Sequence, residues 1–182
     1  VSDEYGGVRL ALEHLISRGH RRIAMLAGRF SPYILNERYR AFLETARTHG
    51  LPADPGLIRM CGPTVESAAE AAVELLDRPD RPTAVFGTND AIAAGAMKAA
   101  RRLGLRVPED VAVTGIDDSN ACGMLEPELT FEPAFGQGAV PCVDVGHAVP
   151  AQVGGPREVG EYLPAAQPHI APHLIPYRFL GR

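Results

Sequence analysis

The chain has 182 residues, which is enough for one compact domain with a hydrophobic core plus an appendage. Its formal net charge of -4 argues against a direct grip on a nucleic-acid backbone, because such binding needs clustered Lys and Arg. No apolar run is long enough to cross a bilayer, no signal peptide opens the chain, and the three cysteines match no zinc or redox motif. We therefore expect a cytoplasmic protein whose cysteines are isolated thiols.

A helix–strand pattern repeats through roughly the first 118 residues. Apolar residues at helical spacing predict helices over about 8–19, 35–50, 64–76 and 89–103, with Thr64 as the N-cap of the third. Short apolar runs predict buried strands that begin near positions 23, 57, 83 and 111. Because each interval leaves room for one crossover helix, the sequence predicts a doubly wound α/β fold, a parallel sheet with helices on both faces.

The pattern stops after about Thr130. Residues 131–182 hold eight of the 16 prolines, at spacings that interrupt regular helices, and few charged residues. We therefore predict a folded domain over residues 1–130. An irregular Pro/Gly-rich tail over residues 131–182 is predicted to be loop, disorder or short irregular strands.

Polar side chains follow the first, third and fourth predicted strands at their carboxyl ends, where open parallel sheets bind ligands. Arg38 lies on the helix after the first strand, Asn89 follows the third, and Asp117 follows the fourth. Guanidinium, amide and carboxylate groups together suit a polyhydroxylated ligand such as a sugar. Phe30 and Tyr33 could supply an apolar face for a pyranose ring.

A purely structural role is the alternative for several of these polar residues. Thr88 or Asn89 would then cap the fourth helix, Asp90 would favour its positive end, and Asp118 would close a turn. Position alone leaves the two interpretations balanced.

The sequence offers little for an enzyme. It has no G-x-G-x-x-G after a strand, no G-x-S-x-G elbow, and no histidines at metal-ligand spacing. His169 and His173 are four residues apart, but Pro172 would break the helix needed to align them. We therefore expect no catalytic residues, no cofactor and no metal site.

Three blocks, in this order, resemble the effector-binding domain of LacI/GalR-family transcription regulators. They read HLISRGHRRIAMLAG (14–28), RPTAVFGTNDAIAAGAMKAARRLGLRVPEDVAVTGIDDS (81–119) and PELT (127–130). The resemblance covers about residues 3–130 and is specific as a combination. It implies two periplasmic-binding-protein-like subdomains with an effector cleft between them, of which this chain supplies mostly the C-terminal one.

The resemblance also assigns effector-binding residues. Arg38 in R-Y-R-A-F matches the arginine of the family's R-x-x-G-F pattern, with Ala41 in place of the usual glycine. Asn89 matches the asparagine of the N-D pair in the cleft, and Asp117 matches the first aspartate of G-x-D-D. With Phe30, chosen from its position after the first strand, these residues form the predicted effector site.

Three departures from the family pattern qualify the resemblance. The helix-turn-helix headpiece with its hinge helix, and most of the N-terminal subdomain, are not represented in these residues. The sequence L-T-F-E-P (129–133) replaces L-T-T-V-x-Q-P. A reading-frame change near codon 131 is a hypothesis that translation of the neighbouring frames would test.

We therefore expect the effector-binding fragment of a sugar-responsive transcriptional regulator or repressor. Its partners would be a small-molecule effector, DNA only through the missing headpiece, and a second copy of the chain, since family members are usually dimers. The isolated fragment should bind effector weakly or not at all. The alternatives are a sugar-binding protein of an ABC importer and an enzyme on a doubly wound sheet.

Overall fold

The computed structural model describes residues 3–29, 31–52, 54–116 and 143–144. Within them it contains α1 (Glu4–Ser17), β1 (Ile23–Gly28), α2 (Pro32–Thr48), a 3-10 turn (Pro55–Leu57), β2 (Ile58–Cys61), α3 (Val65–Leu76), β3 (Ala84–Gly87), α4 (Asp90–Arg102), β4 (Ala112–Thr114) and β5 (Val143–Asp144). The four predicted helices and the four predicted strands are all present.

The strands form one sheet in the order β2-β1-β3-β4-β5. The first four are parallel, so the predicted parallel sheet is confirmed. β5 pairs antiparallel with β4 and lies in the predicted tail, whose other residues are outside the described part of the chain. The connection from β1 leads outward to β2 and then back to β3 on the other side of β1, so the winding direction reverses between β1 and β3.

Helices cover both faces of this sheet. Val85 belongs to a buried cluster with residues of α3 and α4. The next residue, Phe86, points to the other face and stacks on Phe42 of α2, with ring centroids 6.1 Å apart. Because successive side chains of a strand alternate between faces, this pair shows that the sheet is buried on both sides.

The contact between α3 and α4 depends on a glycine in the middle of α4. A Cβ added at Gly95 would lie 2.4 Å from the Ala68 Cβ and 2.7 Å from the Val65 carbonyl oxygen. The two helices therefore approach more closely than any side chain at position 95 would permit. The predicted cap of α3 is also confirmed, because the Thr64 side chain accepts a hydrogen bond from the Ser67 N–H at 3.2 Å.

β2 is the edge strand on one side of the sheet. In the part of the chain that the structure describes, no strand pairs with its outer side. Arg59 lies in the middle of β2 and forms an ion pair with Glu74 of α3 at 3.4 Å.

Cys61 is buried at the end of β2 as a free thiol, which agrees with the predicted isolated cysteine. Burial raises the pKa of this thiol to about 11. Cys122 and Cys142 lie outside the described residues. Across the described helices, none combines the length and the apolar character needed to span a membrane.

Candidate functional site

Arg38 is a buried charge close to the point where the winding direction of the sheet reverses, between β1 and β3. β1 ends at Gly28 and β3 ends at Gly87, and we call this side of the sheet the carboxyl edge. Arg38, on α2, is only 6% exposed, and its Nη1 donates to the backbone carbonyl oxygen of Thr88, directly after β3. The predicted position of Arg38 at the carboxyl edge is therefore observed.

Glu4 holds the other side of the Arg38 guanidinium. The Nε and Nη2 of Arg38 lie 2.6 Å and 2.5 Å from Glu4 Oε2, at the start of α1. The two side chains are 7% and 11% exposed, so the ion pair is largely shielded from solvent. The sequence pattern does not indicate this role of Glu4, because Glu4 and Arg38 are 34 positions apart and no local spacing connects them.

Thr88 joins the two central strands at the carboxyl edge. Its hydroxyl oxygen accepts a hydrogen bond from the Gly28 N–H at 2.9 Å, and its own N–H donates to the Leu26 carbonyl at 3.0 Å. Thr88 is fully buried, so the carbonyl that contacts Arg38 is held on a rigid element. Of the two candidates for the cap of α4, Thr88 is not the one that the structure uses.

Asn89 is the N-cap of α4. Its side-chain oxygen accepts a hydrogen bond from the Ile92 N–H at 2.9 Å, as the structural alternative in the sequence analysis required. This bond uses the amide oxygen, whereas a ligand would be recognised by the two N–H donors of the same amide. The capping role is therefore observed, and a role for Asn89 in effector binding stays a prediction.

Asp90 brings a buried carboxylate to the same edge. It is 2% exposed in the first turn of α4, where a negative charge interacts favourably with the positive end of the helix dipole. A Cβ added at Gly115 would lie 3.1 Å from Asp90 Oδ1 and 3.3 Å from the Asn89 carbonyl oxygen. The backbone after β4 therefore passes close to the start of α4, and the glycine at position 115 leaves room for this approach.

Of the other three candidates, Phe30, Tyr33 and Asp117, the structure describes only Tyr33. Phe30 and Asp117 lie outside the described residues. Tyr33, in the first turn of α2, is 68% exposed. Among residues whose placement is described, no group of three or more His, Cys, Asp or Glu could hold a metal ion.

A surface cavity of about 440 Å³ lies at the opposite end of α4 and is lined in part by Met97, Leu105 and Val107. It contains none of the predicted site residues. The chemistry of the polar groups and the strand rule both indicate the carboxyl edge, so we assign the candidate site there.

Comparison with known proteins identifies the same kind of fold. The profile of the periplasmic binding protein-like domain matches residues 12–135. The HTH-type transcriptional regulator CelR of Thermobifida fusca is 40% identical over 128 residues, which is 70% of this chain and 38% of CelR.

Solved structures give the same result. A regulatory protein of the LacI family from Chloroflexus aggregans is 41% identical, with a TM-score of 0.66 over 69% of this chain and 46% of the other. A complex of the transcriptional regulator CelR with cellobiose is 39% identical, with a TM-score of 0.66 over 70% of this chain and 39% of the other.

The chain spans less than half the length of these proteins. They are transcriptional regulators, and neither the importer nor the enzyme alternative is favoured.

Proposed function

Because the chain belongs to the periplasmic binding protein-like domain family, as an effector-binding domain of the LacI type, we propose that it senses a sugar for a transcriptional regulator. The observation that carries this proposal is the placement of Arg38, which is buried at the carboxyl edge and fixed by Glu4 and the Thr88 carbonyl. A guanidinium held in one orientation by neighbouring groups can recognise ligand hydroxyls at a defined angle.

The proposed site consists of Arg38, Asn89, Asp117 and Phe30. Asn89 supports the assignment because it adjoins Thr88, whose carbonyl Arg38 contacts. Phe30 and Asp117 follow the ends of β1 and β4 by two and three positions in the sequence. The cellobiose complex of CelR supports a sugar as the ligand class.

In the proposed mechanism, the effector binds between this subdomain and a second one and favours one relative orientation of the two. That orientation changes the affinity for DNA through a headpiece outside these 182 residues, so the coupling equals the difference in effector affinity between the two orientations. We further propose that the protein acts in the cytoplasm as a homodimer and without catalysis. Residues 1–130 would form the sensing domain and residues 131–182 an irregular tail.

A titration of the chain with cellobiose, followed by amide NMR, tests the proposal and detects weak binding. We expect shifts at Gly28, Thr88 and Asn89, at the carboxyl edge, and none at Gly104, after the far end of α4. Asn89→Asp should keep the cap but lose the amide donors, so affinity should fall about tenfold while stability stays near that of the wild type. Asn89→Ala should lose both the affinity and about 1 kcal/mol of stability.

Two results would contradict the proposal. If neither cellobiose nor any other member of a panel of neutral mono- and disaccharides shifts the carboxyl-edge resonances, either in this chain or in the regulator that also contains the second subdomain, the domain is not a sugar sensor. If Asn89→Asp binds like the wild type, Asn89 is only a helix cap. Conversion of any sugar during the titration would favour the enzyme alternative.

A further inference from the structure

We propose that Glu4 is a positioning residue that neutralises Arg38 and thereby restricts the effector to uncharged polyols, at the expense of phosphorylated or carboxylated sugars. This inference rests on the proposed function and deepens it, from a sugar to a sugar without an anionic group. It depends on the buried Glu4–Arg38 pair and on the way in which that pair uses the donors of the guanidinium.

An arginine with an open fork is a strong receptor for phosphate and carboxylate, because two parallel N–H groups match two anionic oxygens. The Nε–Nη2 fork of Arg38 is occupied by Glu4 Oε2, at 2.6 Å and 2.5 Å. The Nη1 group of the other fork donates to the Thr88 carbonyl. Glu4 and the Thr88 carbonyl therefore engage all three nitrogens of the guanidinium, and an anion that binds Arg38 by two points has to compete with these partners.

Displacement of Glu4 would be unfavourable because of its burial. With its side chain 11% exposed, Glu4 would remain in a poorly solvated place without its cationic partner. A buried carboxylate that loses its partner is strongly destabilised, so an incoming anion would have to offset this cost. A neutral hydroxyl has no such requirement, since it needs no compensating positive charge.

The neighbouring charges favour the same selection. Asp90 is a second carboxylate, 2% exposed at the carboxyl edge. Arg29 follows the end of β1, but its side chain is exposed and its charge is screened by solvent. The largely buried side chains described at this edge thus include two acids, Glu4 and Asp90, and one base, Arg38.

Thermal unfolding in the presence of inorganic phosphate, a simple anion, tests this selection against anionic ligands. Phosphate stabilises folded proteins in general, so the wild type should gain no more in melting temperature than Arg38→Gln does on transfer from sodium chloride to sodium phosphate of equal ionic strength. Glu4→Gln should gain more than both, because the freed guanidinium binds the anion and ligand binding stabilises the folded state. Its affinity for phosphate, measured by NMR titration, should exceed that of the wild type at least about tenfold.

Two further variants identify the cause. Glu4→Gln combined with Arg38→Gln should lose the gain in phosphate affinity. Glu37→Gln is the matched control, because it removes a carboxylate from the solvent-exposed pair with Arg40, also on α2, and should leave phosphate affinity unchanged.

The inference is overturned if Glu4→Gln gains no phosphate affinity. It is also overturned if phosphate specifically stabilises the wild type and Arg38→Gln abolishes that effect. The second measurement decides the question even if Glu4→Gln does not fold. Neither result depends on the identity of the effector, so failure here leaves the proposed sugar sensing intact, and failure of the cellobiose titration leaves this measurement valid.

Discussion

His20 is buried just before β1, with its Nδ1 3.0 Å from the Thr83 hydroxyl oxygen. Burial lowers the pKa of this imidazole, and the positive charges of His14 and Arg21 add to the effect. In the folded protein, His20 therefore takes up a proton at a lower pH than in the unfolded chain, where it is protonated near the ordinary histidine pKa of about 6.5. Because the unfolded state binds more protons in that range, stability must decrease as the pH falls below about 6.5.

Urea unfolding at about pH 7.5 and about pH 5.5 should show this decrease for the wild type. His20→Asn should make the free energy of unfolding less dependent on pH across the same interval, although it lowers stability at both values by removing buried packing. An unchanged slope in His20→Asn would show that another group carries the pH dependence.

The site residues differ in how far the sequence could predict them. The positions of Arg38 and Asn89 at the carboxyl edge could be predicted, because Asn89 lies two residues after β3, Arg38 lies on the helix after β1, and the ends of parallel strands meet at one edge. Their role in effector binding stays a prediction. The role of Glu4 could not be predicted from the sequence, because Glu4 and Arg38 lie on different helices and are 34 residues apart. The contact of the Thr88 carbonyl with Arg38 could not be predicted, because it depends on where α2 passes in the folded chain.

At the scale of the secondary-structure elements, the α3–α4 contact is sensitive to a single added methyl group. Gly95→Ala should destabilise the protein by roughly 1–3 kcal/mol, because the new methyl group meets Ala68 and the Val65 backbone, which cannot move independently of α3. Helix propensity alone would predict the opposite, since alanine favours a helix over glycine by up to about 1 kcal/mol. Denaturant unfolding distinguishes the two effects by the sign of the change.

Combination with Ala68→Gly provides the matched test of that prediction. Removal of the Ala68 methyl group relieves the closest contact, at 2.4 Å, but not the contact with the Val65 carbonyl oxygen. The double variant should therefore be more stable than the sum of the two single changes predicts. Strict additivity would mean that the two positions do not contact each other in solution.

The elements themselves were predicted well because their signals are local. Helical periodicity and short apolar runs located α1 to α4 and β1 to β4 within a few residues. The order of the strands was not predicted, because the intervals between strands indicate only that a crossover exists and not on which side the next strand lies. β5 has no such signal, since two residues, Val143 and Asp144, are too few to show a pattern.

At the scale of the whole molecule, the fold concentrates its polar groups at one end of an apolar sheet. All six residues of β1 and all four of β3 are buried, so the central strands contribute packing, and the proposed recognition falls to residues outside them. This separation explains why the described site lies on connections and helix starts while the strands hold it rigid. An effector that contacts α2 and the start of α4 would thus bear on segments anchored by β1 and β3.

The outer side of β2 has a different consequence, which concerns self-association. Backbone groups on an edge strand can pair with a strand of another molecule and so begin aggregation. β2 limits this hazard by its length of four residues and by Arg59, whose charge interrupts the run of Ile58, Met60 and Cys61. Arg59→Val should therefore scatter more light on prolonged warm incubation than the wild type, whereas Arg59→Lys should remain clear, and equal turbidity of the two variants would remove charge as the protecting feature.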